Sequence, residues 1–147
     1  MMRLVCGVPR LRWSVNDLGR RGGVTVTSPQ KRKGSAAELA VAKWLRKLGW
    51  IHAERSRAGW TDDRGDIDGM PGVVVEVKNC KTISIPEWLR ELEVEIANAQ
   101  AWTGAVIAKR KGSTDVDDWY AIMPAKIWGE LMVMLDQPNG NSVTPLN

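Results

Sequence analysis

The chain reads as an α/β protein, a central mixed β-sheet flanked by helices, and three observations predict that class. Apolar residues recur at helical spacing in three segments, they alternate with period two through residues 73–78, and Pro- and Gly-bearing turns separate the segments. The resulting order is helix, three strands, helix, strand, strand, helix, which lays helices over a mixed sheet. A length of 147 residues suits one domain, and 44% hydrophobic content is ordinary for a chain that buries a real core.

The first helix opens at Arg32-Lys33-Gly34-Ser35-Ala36-Ala37-Glu38 and runs to Gly49. Ser35-x-x-Glu38 has the form of a capping box, in which Ser35 caps the helix and Glu38 reaches back to the Ser35 amide. Val41, Ala42 and Leu45 lie three, four and seven residues beyond Glu38, which instead places that carboxylate on the inward stripe. Both readings of Glu38 stand on the sequence. The next strand begins near Ile51 and His52, where a lone histidine is a structural or surface residue. No Cys or His cluster accompanies it, so a zinc site is not expected.

Gly65-Asp66-Ile67-Asp68-Gly69, a turn at Met70-Pro71-Gly72 and then Val73-Val74-Val75-Glu76-Val77-Lys78 form the most informative stretch. Along the last strand Val73, Val75 and Val77 point one way, while Val74, Glu76 and Lys78 point the other. If Ile67 faces the same layer as Val75, antiparallel pairing sets Asp66 opposite Glu76, with Cβ atoms roughly 4.5–5.5 Å apart. Two carboxylates so placed repel, and a hard divalent cation removes the conflict; an adjacent amine can then steady an attacking hydroxide or the phosphate charge. Such a donor set would suit a metal-dependent phosphodiesterase. A type II turn at Met70-Pro71-Gly72 would shift the register by one and turn Asp66 away. A plain cross-strand ion pair on a solvated face also fits the strand taken alone.

Downstream, Ser84-Ile85-Pro86-Glu87 opens a second helix with Leu89, Leu92, Ile96 and Ala99 inward and an acidic opposite face. Residues 105–108 and 119–123 read as strands separated by a turn over Gly112–Asp115. A last helix from Pro124 carries Ile127, Trp128, Leu131, Met132 and Leu135 on one face. The eight tryptophans, in a chain without phenylalanine, read as packing aromatics.

Charge is uneven along the chain. Residues 1–33 carry eight Lys or Arg against Asp17 alone, whereas residues 34–147 carry thirteen against sixteen acids. Residues 1–30 therefore read as a flexible basic arm suited to nucleic acid phosphates, residues 31–137 as the folded domain, and residues 138–147 as a disordered tail. An inert tail, or a translation start further downstream, would account for the arm equally simply. No apolar run approaches the roughly 18 residues of a membrane span, and the first ten residues have too short an apolar stretch for a secretory signal. Cys6 and Cys80, far apart and unpaired on this reading, suit a reducing cytoplasm, that of a bacterium or a phage-infected cell.

The order Arg32-Lys33-Gly34-Ser35-x-x-Glu38, a helix, Arg55-Ser56, Gly65-Asp66-Ile67 and Val75-Glu76-Val77-Lys78 resembles the archaeal-type Holliday junction resolvases of the PD-(D/E)xK nuclease superfamily, over about residues 31–110. The resemblance implies a restriction-endonuclease-like core and a catalytic set of Glu38, Asp66, Glu76 and Lys78. It implies a metal held by Asp66, Glu76 and the carbonyl of Val77, with Mg²⁺ as cofactor and Mn²⁺ as substitute. The implied activity is endonucleolytic hydrolysis of branched DNA by a homodimer, in recombination or repair. Lys31, Arg32, Lys33, Arg55, Trp60 and Gln100 are the expected DNA contacts, Trp60 through stacking on a splayed base and Gln100 by its place near the end of the second helix. Lys81, Lys109, Arg110 and Lys111 are further basic residues within loops. Two departures mark the chain: Gly65 stands where the family has proline, and the loop after Arg55 lacks the serine usual after its glycine. A nuclease of the same superfamily acting on linear or single-stranded DNA, and a DNA-binding module that does not cleave, are the alternatives.

Overall fold

The computed structural model describes residues 28–57 and 63–136. Within them the elements follow the expected order: α1 (Pro29–Lys47), β1 (Glu54–Arg55), β2 (Ile67–Asp68), β3 (Val73–Lys78), α2 (Ile85–Ala99), β4 (Thr103–Ala108), β5 (Tyr120–Ile122) and α3 (Ala125–Leu135), with a 3₁₀ turn at Val116–Asp118 before β5. Residues 1–27 of the expected arm, Trp60, Gln137 and the expected tail, residues 138–147, lie outside the described residues, while residues 28–30 of that arm are the cap and start of α1.

Helix α1 begins earlier than Ser35. Ser28 caps it, accepting from the Lys31 amide at 3.3 Å, and Pro29 follows with φ suited to a first turn. The capping-box reading of Glu38 is thereby corrected: Ser35 sits inside the helix, and Glu38 is free to serve elsewhere. Ala37, Val41, Ala42 and Leu45 form the buried stripe of α1.

Strand β3 has a helix on each face. Its odd-numbered valines, Val75 and Val77, join Ala37, Val41, Ala42 and Leu45 in one apolar layer. Val74, on the even-numbered face, packs with Trp88 and Leu92 of α2 and Val106 of β4. The α2 crossover returns the chain to run β4 parallel to β3, with Val73 opposite Thr103 and Lys78 opposite Ala108; β5 adds antiparallel to β4. The sheet is mixed, as expected, and three-stranded in the order β3-β4-β5.

The expected β2–β3 hairpin does not form as a ladder. Strand β2 pairs antiparallel with β1 in a separate two-stranded sheet, Glu54 opposite Asp68 and Arg55 opposite Ile67. Pro71 and Gly72 occupy the centre of the following turn, Gly72 at φ +76° and Val73 N–H donating to Met70 at 3.0 Å, as in the type II geometry weighed above. Asp66 nevertheless docks on β3, because its N–H donates to the Val75 carbonyl at 2.9 Å.

Cys80, two residues past β3, is disulfide-bonded, which corrects the expectation of an unpaired thiol; Cys6 lies outside the described residues. His52 is exposed in a turn before β1 rather than in a strand. Among the described residues no helix is long and apolar enough to cross a membrane.

Candidate active site

Asp66 reaches β3 from the side. Its Oδ2 accepts from the Val77 N–H at 2.8 Å, and its own N–H meets the Val75 carbonyl, so the odd-numbered peptide groups of β3 face Asp66. The even-numbered ones face β4, as the Lys78 carbonyl shows by accepting from Lys109 N–H at 2.8 Å. Since the N–H and C=O of one strand residue point to the same side, the Val77 carbonyl leaves the strand on the Asp66 side. Gly65 fixes the approach. Its φ of +99° is closed to proline, and a Cβ there would stand 3.0 Å from Val74 Cγ1 and 3.1 Å from the Val75 carbonyl. Glycine at position 65 thus has a local physical cause.

Glu76 and Lys78 project from the α2 face and are nearly buried, at 9% and 7% exposed. Lys78 Nζ donates to Glu76 Oε1 at 2.8 Å and to Glu91 Oε2 at 2.7 Å. Glu38 enters from α1 and forms an ion pair with Arg55 of β1. Its charge also acts on Asp66. Asp66 itself is pushed up from 3.8 to about 8: burial is the main cause, the charge of Glu76 beside it adds to this, and the Val77 N–H only partly offsets both. Lys78 is raised above its ordinary value: burial opposes the charge, and hydrogen bonds and attraction from Glu76 and Glu91 outweigh it.

The structure therefore brings together Glu38, Asp66, Glu76, Val77, Lys78 and Arg55 from α1, β1, the β2 approach and β3. Lys31, Arg32 and Lys33 lie exposed on the first turns of α1, and the Lys33 carbonyl accepts from the Asn79 side chain at 3.2 Å, which ties that basic run to the end of β3. Arg55 faces Glu38 instead of open solvent alone. Gln100 is not brought to the group. It closes α2 in the left-handed conformation, φ +51°, near Gly72 and the start of β3, about 16 Å along the strand from Lys78 by strand rise.

Glu91 escaped the sequence reading, which assigned the acids of α2 to a solvated face. That assignment is corrected for two of them: Glu95 is fully buried and Glu91 is largely so. The available signal was spacing. Glu95 lies three residues after Leu92 of the expected stripe, and Glu91 lies three after Trp88, which that stripe left out and the structure buries.

A divalent cation fits this donor set. Two carboxylates are packed where one stays protonated well above its ordinary range, a carbonyl shares their edge, and all are hard oxygen donors. Among the described residues no three His, Cys, Asp or Glu side chains group into a ready-made metal cage. Mg²⁺ does not require one, because it keeps several waters and binds through one or two carboxylates with phosphate. No family model, curated protein or solved structure matches the chain.

Proposed function

We propose that the protein is a Mg²⁺-dependent DNA endonuclease hydrolysing phosphodiesters, with branched DNA such as four-way junctions as its substrate. The observation that carries this reading is the packing of the Asp66 and Glu76 carboxyls beside a nearly buried Lys78 ammonium at the end of β3. A binding-only domain gains nothing from that arrangement, since it concentrates negative charge where phosphate would approach.

Asp66, Glu76 and the Val77 carbonyl would hold the cation, whose charge would offset the phosphate and make water a better nucleophile. Lys78 places an ammonium beside the same carboxylates, where it orients the attacking water and offsets charge gathering on the phosphate oxygens. Glu38, held by Arg55, adds negative charge next to Asp66 and would contribute through the cation or its waters. In the reaction a water oxygen bonds to phosphorus as one ester P–O bond breaks, and the leaving oxygen takes up a proton.

The surroundings support a polyanionic substrate. Lys31–Lys33 at the start of α1, Lys81 after β3 and Lys109–Lys111 after β4 all follow from elements that meet at the carboxyl end of β3. A homodimer would supply the paired sites that symmetric nicking of a junction needs. Helix α3 offers an apolar face for such pairing: its expected inward stripe buries no side chain fully, and Trp128, Met132 and Leu135, which share one side of the helix, are all exposed.

The test is purified full-length protein with Mg²⁺ and, in parallel, a four-way junction, a fork, a linear duplex and a single strand. Preferential cutting of the junction is expected. Cutting of linear or single-stranded DNA alone would move the assignment to another nuclease activity, and tight binding of all four without cleavage would favour a DNA-binding module.

A further inference from the structure

Lys78 is held between two carboxylates, and only one of them belongs to the strand motif. Its Nζ lies 2.8 Å from Glu76 Oε1 and 2.7 Å from Glu91 Oε2, and the Glu91 side chain is 15% exposed. An ammonium has three N–H donors, so two are engaged and one remains for a ligand. The two carboxylates differ in what else they face. Glu76 adjoins Asp66 and shares its charge conflict, whereas Glu91 stands on α2. Packed Trp88 and Leu92 fix that helix against Val74 and Val106, so Glu91 is presented by a rigid element rather than a loop.

We propose that Glu91 is the positioning residue for Lys78, tethering the ammonium from α2 while Glu76 serves a cation and the phosphate. This rests on the nuclease reading above. When a cation draws on Glu76, the charge of that carboxylate is shared and its hold on Lys78 weakens, and a flexible four-carbon side chain held by Glu76 alone would then be poorly fixed beside the reacting phosphate. Glu91 keeps it in place. Its role is exerted through Lys78, without contact to the substrate.

The experiment compares full-length wild type with Glu91→Gln, Glu91→Ala and Glu93→Ala, the last an exposed acid on the same helix. Cleavage is measured on the DNA that wild type cuts best, alongside thermal melting and the ¹⁵N signal of the Lys78 ammonium, assigned through Lys78→Arg. Glu91→Ala should lower kcat by roughly 10- to 100-fold, the range for partners that orient a functional group, with KM for DNA unchanged. Glu91→Gln should lose less, because its amide oxygen still accepts from the ammonium. Glu93→Ala should match wild type, and the Lys78 ammonium signal should broaden in Glu91→Ala alone. Wild-type kcat in both Glu91 variants would overturn the proposal, as would losses in which KM and melting temperature move together with kcat in the well-folded Gln variant. A wild type that cuts no DNA would instead refute the nuclease reading and take this proposal with it, an outcome separable from active wild type with equally active Glu91 variants.

Discussion

Without metal, Asp66 is expected to make the fold less stable as pH rises through the neutral range. The unfolded chain releases this proton near 3.8, while the folded state keeps it to about 8 because burial and the neighbouring Glu76 and Glu38 charges oppose ionisation. Between those limits the folded state binds more protons, so stability is complete below 3.8 and declines toward 8, at a ceiling of about 1.4 kcal/mol per pH unit. Lys78 does not confuse the window, since its ordinary value is 10.5 and its folded value is higher. Asp66 sits at a strand edge and is only partly shielded, so half the ceiling is the working figure. That gives about 2 kcal/mol between about pH 5 and pH 8, or roughly 8 °C in melting temperature for a domain of this size. The assay is circular-dichroism melting in chelator across that range for wild type and Asp66→Asn. The carboxamide oxygen still accepts from Val77 N–H but has nothing to ionise, so the variant should lose this decline. Excess Mg²⁺ should also remove it in wild type, its stabilising effect growing with pH as a cation replaces the proton. A wild-type melting temperature that is flat or rises in chelator, or an equal decline in Asp66→Asn, would refute the reasoning.

Three further outcomes are expected. Glu76→Gln or Lys78→Ala should abolish cleavage while junction binding persists, because in the proposed mechanism these residues act on the transition state; loss of a cooperative melting transition in either would make them structural instead. Gly65→Pro should destabilise the protein by upwards of about 2 kcal/mol, because proline cannot take the φ of +99° found there; a chemical denaturation midpoint equal to wild type would contradict this. Removal of residues 1–27, just ahead of the Ser28 cap, deletes Arg3, Arg10, Arg12, Arg20 and Arg21. If all five meet phosphate, the slope of log affinity against log salt should become shallower by roughly 4 to 5, and parallel salt titrations in Ca²⁺ would exclude a DNA role for the arm.

The parts of the site legible in the sequence are those fixed by local period. Alternation through Val73–Lys78 was enough to place Glu76 and Lys78 on one face, whereas the Val41-Ala42-Leu45 stripe left Glu38 open between an inward place and a capping box, a choice that the cap at Ser28 decides. What sequence could not supply were partners chosen by non-local packing. Strands joined by a tight turn are ordinarily expected to pair, yet β2 takes β1, and Asp66 bonds to the flank of β3. Ser28-Pro29 is as good a helix start as Ser35, but it lay inside a stretch whose charge and composition read as an arm. Glu91 was hidden by a sound rule, that acids on a surface helix face water. Only the crossover that lays α2 over the even-numbered face of β3 turns it toward Lys78.

That same crossover bears on why the charges are there at all. Between α1 and α2, an apolar pair of residues at positions 76 and 78 would pack as Val75 and Val77 do on the other face, with no desolvation penalty. Buried ion pairs rarely improve on apolar packing, since the cost of removing both charges from water offsets most of their attraction. Here the arrangement is costlier still, for Asp66 is set beside Glu76 and forced to hold a proton far above its ordinary range. A fold gains no stability from two opposed carboxyls, an ammonium clamped between Glu76 and Glu91, and a carbonyl on the same edge. A cation and a phosphate would turn each of those costs into a favourable contact, which is the physical ground for reading the end of β3 as a place where chemistry is done.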